Sequence, residues 1–156
     1  MSELSVQDFW DFTVKRYSAG GNMQACLELQ NEYGVNVNLL LLLSWCVANQ
    51  LTLTLVDWRA IHNAIKQSEQ ALTIHRSKRR SEKNKVPFNS GRYQQLKEQE
   101  LMLERTQQID ILAQFNQQTH LSIEPDQVNG SIPAFINLYN LRGKTDALNL
   151  IATVIN

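Results

Sequence analysis

The feature that most constrains this chain is a run of five leucines, Leu39–Leu43, inside a segment from Val37 to Asn49 with few polar side chains. Leucine is not β-branched, and the segment exceeds the usual length of a strand, so the pattern predicts an α-helix. A helix with no polar face along most of its length is buried. We therefore expect Leu39–Cys46 to be almost wholly buried in a central helix. The apolar stretch is about half of the ~20 residues needed to cross a bilayer, which favours a core helix over a membrane span.

Apolar residues at helical spacing recur along nearly the whole chain, and turn residues separate the segments. The sequence predicts an all-α fold, a single-domain helical bundle over residues 1–156 with about five main helices and a short C-terminal helix pair. The first predicted helix begins at Ser5 with Asp8 and ends at Gly20-Gly21, the second begins at Asn22 and ends at Gly34, and the third begins at Asn36 and ends at Asn49. The fourth begins at Thr54 with Asp57 and runs toward Arg80, and the fifth runs from about Arg92 to Gln118. The C-terminal pair passes through Phe135 and Ile151. We expect residues 120–132 to form a loop.

Composition excludes several classes of protein without identifying one. Fifteen basic residues balance fifteen acidic residues, which argues against a general nucleic-acid coat. The two cysteines, Cys26 and Cys46, lie in apolar helical surroundings and form no C-x-x-C motif, so we expect reduced core thiols. The segment from Met1 to Phe12 lacks the pattern of a secretory signal, which predicts a cytoplasmic protein.

The chain contains Phe9-Trp10-Asp11-Phe12, Tyr17, Ala25-Cys26-Leu27-x-Leu29-Gln30, the segment Gly34–Leu41 and Trp45, followed by the stretches His75–Arg80 and Glu100–Glu104. This pattern resembles a family of small bacterial proteins defined as a domain of unknown function, and only the basic stretch His75–Arg80 departs from it in spacing. It covers most of residues 9 to 104. The resemblance implies an all-helical fold and a soluble bacterial protein. It implies no activity, so no catalytic residue is transferred to this chain.

A basic cluster is the strongest local departure from average composition. Residues 76–85 contain six basic residues and one acidic residue. On a helix, Arg76, Arg80 and Lys83 would form one stripe with Arg79 beside it. Such a stripe can bind phosphates of nucleic acid or anionic lipid headgroups. Alternatively, it is a solvated helix C-terminus, where cations are favoured by the macrodipole.

Two carboxylates can act as partners of that stripe. Glu100 and Glu104 lie one helical turn apart on a polar helix, where we expect no apolar setting that would shift their pKa values. If the fourth and fifth helices form an antiparallel hairpin about residue 88, Arg76 lies level with Glu100. An ion pair there, with Arg79 or Arg80 nearby, would fix the register of the hairpin more than its stability.

No catalytic motif is present in the sequence, and the three histidines lack metal-ligand spacing. We therefore predict no catalytic residue, no cofactor and no metal site. The sequence favours a non-enzymatic protein-interaction or adaptor module whose contact surface is the charged hairpin or the apolar C-terminal helices, with a protein partner. The alternative is a nucleic-acid or anion-binding accessory protein acting through residues 76–85. An enzyme with an unrecognised site is the least favoured class, and the oligomeric state is left open.

Overall fold

The computed structural model describes residues 3–156, and in them the chain is mostly helical. Met1 and Ser2, which the single-domain prediction includes, lie outside the described residues. The elements are α1 Val6–Tyr17, α2 Asn22–Tyr33, α3 Val37–Ala48, β1 Leu51–Thr52, α4 Leu55–Ala64, α5 Lys66–Lys83, α6 Ser90–Phe115, β2 Leu121–Ser122, α7 Ser131–Leu138 and α8 Thr145–Ile155. The predicted all-α fold class is confirmed.

Several helices begin at the capping residues that the sequence indicated. The Ser5 hydroxyl accepts a hydrogen bond from the Asp8 amide, and the Asn36 side chain accepts one from the Leu39 amide. Thr54 and Asp57 form a reciprocal capping box at the start of α4. These side chains satisfy amide groups that the first turn of a helix leaves without a partner. Gly34 ends α2 with a φ of 67°, a left-handed conformation that glycine adopts without steric cost.

The core is built around α3, which packs against α1, α2, α6, α7 and α8. All five leucines of Leu39–Leu43 are 0–3% exposed, and Ser44 and Cys46 are also buried. Trp45 is half-buried and meets Phe115 of α6 edge-on, with ring centroids 5.8 Å apart. The predicted burial of the central helix is therefore confirmed, with Trp45 at its margin.

The predicted fourth helix is wrong as a single element, because it is divided at Ile65. Ile65 has φ −104° and ψ 9°, so α4 ends at Ala64 and α5 begins at Lys66. Trp58, Ile61, Ile65 and Leu72 are all buried, as their spacing suggests. The break keeps Ile65 in the core while α5 leaves the body of the protein in a new direction. Neither glycine nor proline marks this break in the sequence.

The predicted loop at residues 120–132 contains β2, which pairs antiparallel with β1. Leu51 lies opposite Ser122 and Thr52 opposite Leu121. Two residues per strand are too few to produce a detectable alternation of apolar and polar side chains.

The two C-terminal helices lie against the core. α7 packs on α3 and α4, and α8 packs on α2 and α3. Their apolar side chains Phe135, Ala147, Ile151 and Val154 are buried. The apolar faces of these helices are therefore used within the fold, which leaves the charged hairpin as the stronger candidate for a contact surface. Within residues 3–156, no helix combines the length and apolar character that crossing a membrane requires.

Candidate functional site

The helices α5 and α6 form a long antiparallel hairpin that carries every site residue indicated by the sequence. Leu72 and Leu96 are buried in it, and His75 Nε2 lies 2.7 Å from the carbonyl oxygen of Leu96. Because a carbonyl oxygen only accepts, this ring nitrogen donates the hydrogen bond. Asn89 caps α6 by accepting a hydrogen bond from the Arg92 amide at 2.9 Å.

The ion pairs in the hairpin differ in register from the sequence expectation. Arg79 Nε donates to Glu100 Oε1 at 2.9 Å, so Arg79 lies opposite Glu100 in place of Arg76. The Arg76 guanidinium lies 3.4 Å from Glu69, two turns earlier on the same helix, and 3.8 Å from Glu104. The predicted Arg76–Glu100 pair is therefore wrong, because Glu69 and Glu104 hold Arg76.

Burial divides the basic stripe into inner and outer residues. Arg76 is 8% exposed and Arg79 is half-buried, whereas Arg80 and Lys83 are exposed. The alternative of a solvated helix C-terminus therefore fits Arg80 and Lys83, which lie in the last turn of α5, but not Arg76, which is buried. Arg76 and Arg79 serve the packing of the hairpin, while Arg80 and Lys83 remain available at its surface.

Glu104 has a perturbed carboxyl group, contrary to the expectation from the polar sequence of α6. Burial raises the pKa of Glu104, and the nearby Glu100 and Glu69 raise it further, while Arg76 and Arg79 act in the opposite direction. The sequence did not reveal this setting, because it arises from the packing of α6 against α5 and α1. Glu104 is consequently a carboxylate whose charge is only partly compensated.

A network of buried amides joins the hairpin to α3. Asn38 Nδ2 donates to Gln107 Oε1 at 2.9 Å, and Gln108 Nε2 donates to Asn38 Oδ1 at 3.1 Å. Gln107 Nε2 also donates to Glu69 Oε2 at 3.1 Å, so the network reaches the carboxylate that holds Arg76. Burying polar groups that bond to one another is tolerable, and in this network Gln108 Oε1 is buried without a hydrogen-bond partner. Sequence reasoning missed this network, since isolated Asn and Gln residues on a helix give no pattern.

Where the hairpin diverges from α1 and α2, it leaves a cleft of about 680 Å³. The floor of the cleft is formed by α3, with Val37, Asn38 and Leu41. Four exposed apolar side chains line its walls: Val14 on α1, Met23 and Leu27 on α2, and Leu101 on α6. Apolar residues gathered around a concave surface are typical of binding sites.

The residues that line the cleft follow helical spacing on two walls. On α2 they are Met23, Leu27 and Gln30. On α6, Gln94, Lys97, Leu101, Glu104 and Gln108 follow this spacing, and Tyr93, Glu98 and Glu100 also line the wall. Spacings of three and four residues describe one face of a helix, the pattern that packs against another helix. On α6 this face is mostly polar, so its periodicity does not stand out as an apolar stripe in the sequence.

A group of cations surrounds Tyr93 at the outer end of the cleft. Arg79 Nη1 donates to the Tyr93 hydroxyl at 3.5 Å. The ammonium nitrogens of Lys83 and Lys97 lie 5.9 Å and 5.6 Å from the centroid of its ring. Arg80 and Lys97 also line the cleft. We call Arg79, Arg80, Lys83 and Lys97 together the cation cluster.

The cysteines have a setting that favours the thiol form. Cys26 and Cys46 are free and buried, and burial raises the pKa of Cys26 to about 12 and that of Cys46 further. Thiols in such surroundings are poor nucleophiles. Across residues 3–156, no group of three or more His, Cys, Asp or Glu side chains is arranged to hold a metal ion.

The fold and the cleft define a small helical protein with an open, partly apolar surface cleft next to a basic hairpin. The chain belongs to the family described as "Protein of unknown function (DUF2390)", whose model matches residues 8–111. The lining of the cleft, from Trp10 to Gln108, lies entirely within that matched segment, whereas α7 and α8 lie outside it. Comparisons with curated proteins and with solved structures gave no match.

Proposed function

We propose that this protein is a non-enzymatic interaction module that binds an amphipathic helix of a partner protein in the cleft. The observation that carries the proposal is the exposure of apolar side chains on three helices that face one cleft. Val14 and Leu101 are half-exposed there, and burying such side chains against a partner is favourable. The helical spacing of the walls fits an occupant that is itself a helix.

Charge complementarity indicates the chemistry of the partner. Between residues 78 and 97 the hairpin holds seven basic residues and one acidic residue. An amphipathic helix with an acidic polar face would place its apolar side chains in the cleft and its carboxylates beside this basic segment. From Gln94 to Gln108 the wall of α6 extends about 21 Å at 1.5 Å per residue, which accommodates about four turns of such a helix.

We also infer that residues 1–156 act as one domain, since a single buried cluster draws on side chains from Leu4 to Val154. The two free, buried cysteines support a location in the reducing cytoplasm. The bacterial origin of the protein remains an expectation from the family resemblance.

The test is a selection from a displayed library of helical peptides of about 14 residues, a length that spans the wall of α6. Affinities of the selected peptides are then measured for the parent, Leu101→Asp and Met102→Asp. Leu101 lines the cleft, whereas Met102 is its exposed neighbour outside the lining. We expect Leu101→Asp to weaken binding at least about tenfold, and Met102→Asp less than about twofold. Absence of any binder, or equal losses in both variants, would contradict the proposed function.

The alternative proposal is a nucleic-acid or anion-binding accessory protein acting through residues 76–85. It has less support, because Arg76 and Arg79 are already paired with carboxylates of the hairpin. With Arg80 and Lys83 as the outer cations, the logarithm of the affinity for duplex DNA should fall with the logarithm of salt concentration with a slope of about −2 or shallower. Tight DNA binding with a slope near −4 would favour the alternative.

A further inference from the structure

We infer that the cation cluster is a carboxylate-binding site, which receives an acidic side chain near the C-terminal end of the docked helix. The inference rests on the proposed function and adds the direction in which the partner lies. It concerns Lys83 and Lys97, which lie over the Tyr93 ring, and Arg80, which lines the same cleft as Tyr93 and Lys97.

The first argument is that cations from two helices converge there with little compensation. Arg79 is paired with Glu100 at 2.9 Å. Among residues 3–156, no carboxylate lies within 4.0 Å of the charged nitrogens of Arg80, Lys83 or Lys97. Like charges held close together repel, so an anionic group bound among them is stabilised by several cations. Tyr93 adds a hydroxyl group next to the Arg79 guanidinium.

The second argument concerns the partner that Arg80 has in the free protein. Arg80 Nη2 donates to the side-chain oxygen of Asn31 at 3.2 Å, which links α5 to α2 through two exposed side chains. The acceptor is a neutral amide, and a carboxylate accepts a stronger hydrogen bond from a guanidinium. A carboxylate arriving in the cleft can therefore take Arg80 from Asn31 without leaving a buried group unpaired.

The electrostatic setting of Tyr93 agrees with this geometry. The pKa of Tyr93 is lowered, mainly by its hydrogen bond with Arg79 and also by the charges of Lys83, Arg79 and Lys97, while desolvation acts in the opposite direction. The field at the ring thus favours negative charge.

The direction of the docked helix follows from the dipole of a helix. The C-terminal end of a helix carries partial negative charge on its free carbonyl groups. The docked helix is therefore favoured with its C-terminus toward the cation cluster, where a carboxylate in the last turn adds to this attraction. The opposite direction would bring the partially positive N-terminus against the same cations.

The test compares two double variants that remove the same charge from the same two helices. Arg80→Gln with Lys97→Gln alters the cation cluster, whereas Lys78→Gln with Arg92→Gln alters exposed residues that do not line the cleft. The probes are peptides from the helix library and matched copies in which the acidic residue is moved from the last turn to the first. We expect the first double variant to lose about tenfold in affinity for the original peptides and the second less than about twofold. Moving the acidic residue should weaken binding to the parent by a similar factor.

The outcomes separate this inference from the proposed function. If peptides bind with the expected sensitivity to Leu101→Asp, but both double variants bind equally well or the position of the acid has no effect, the inference is wrong and the proposed function stands. If no helix binds, both are wrong. If duplex DNA or inorganic phosphate shifts the Tyr93 ring resonances in NMR spectra while no peptide does, the anion-binding alternative replaces both.

Discussion

The surroundings of α3 and the α5–α6 hairpin are stabilised in different ways. Leu39–Leu43 of α3 are almost completely buried by neighbouring helices, so apolar packing fixes their position. In the hairpin, the helices are joined by few buried apolar residues, by the Arg79–Glu100 ion pair and by Arg76 between Glu69 and Glu104. The first region excludes water, whereas the second leaves charged and apolar groups accessible beside each other.

The region around α3 stabilises the fold, whereas the hairpin provides the surface proposed for recognition. Apolar burial is the dominant favourable term in folding, so the α3 region supplies most of the stability. Partly exposed ion pairs add little stability but fix geometry. The hairpin therefore has a defined register without a closed interface toward α1 and α2, and the cleft lies in the space between them.

The largest effect we expect is in the core. Leu42→Ala should lower the free energy of unfolding by about 2–5 kcal/mol, through lost burial and the cavity left behind. Leu101→Ala, at an exposed position of the cleft, should change it by about 0.5 kcal/mol or less. Denaturant unfolding of both variants measures the difference. Similar losses would mean that the two regions are not stabilised differently.

An intermediate effect is expected when the inner cations of the hairpin are removed. Arg76→Gln with Arg79→Gln leaves Glu69, Glu100 and Glu104 without their guanidinium partners, and should cost about 1–3 kcal/mol. Arg80→Gln with Lys83→Gln removes the same formal charge from the same helix, and should cost about 0.5 kcal/mol or less. Thermal and denaturant unfolding compare the two. If the outer pair proves as destabilising as the inner pair, the division of the stripe into packing and surface residues is incorrect.

The smallest effect concerns Glu104 and its dependence on pH. Because the pKa of Glu104 is raised in the folded protein, the folded state binds this proton more tightly than the unfolded state. The contribution of Glu104 to stability therefore falls as pH rises from its ordinary pKa through the raised one.

Glu104→Gln should remove this dependence of stability on pH. At about pH 7 the variant should be as stable as the parent or more stable by less than about 1 kcal/mol, and this advantage should disappear near pH 4. Glu98→Gln, an exposed position on the same helix, is the matched control. A parent whose stability rises with pH across this window relative to Glu104→Gln would contradict the assignment.

Sequence periodicity predicted most of the helices and the burial of α3, because apolar spacing and capping residues are local signals. It did not predict the break at Ile65, which no glycine or proline marks. It identified Arg76, Arg79, Glu100 and Glu104 as candidate partners but placed them in the wrong register, since the pairing depends on where α5 leaves the core.

The cleft itself was not predictable from the sequence. It depends on the angle between the hairpin and α1 and α2, which no local pattern specifies. Its lining on α6 combines Lys97, Leu101 and Glu104, so this face of α6 does not form an apolar stripe that the sequence would reveal.

The most direct test of the proposed recognition is NMR of the protein labelled with ¹³C at its methionine methyl groups. The chain has three methionines; Met23 lines the cleft, and Met102 is exposed on α6 outside it. Addition of a helical peptide selected from the library should shift the Met23 methyl resonance and leave that of Met102 nearly unchanged. A shift of Met102 with no change at Met23 would show that partners bind elsewhere, and would contradict the cleft as the interaction site.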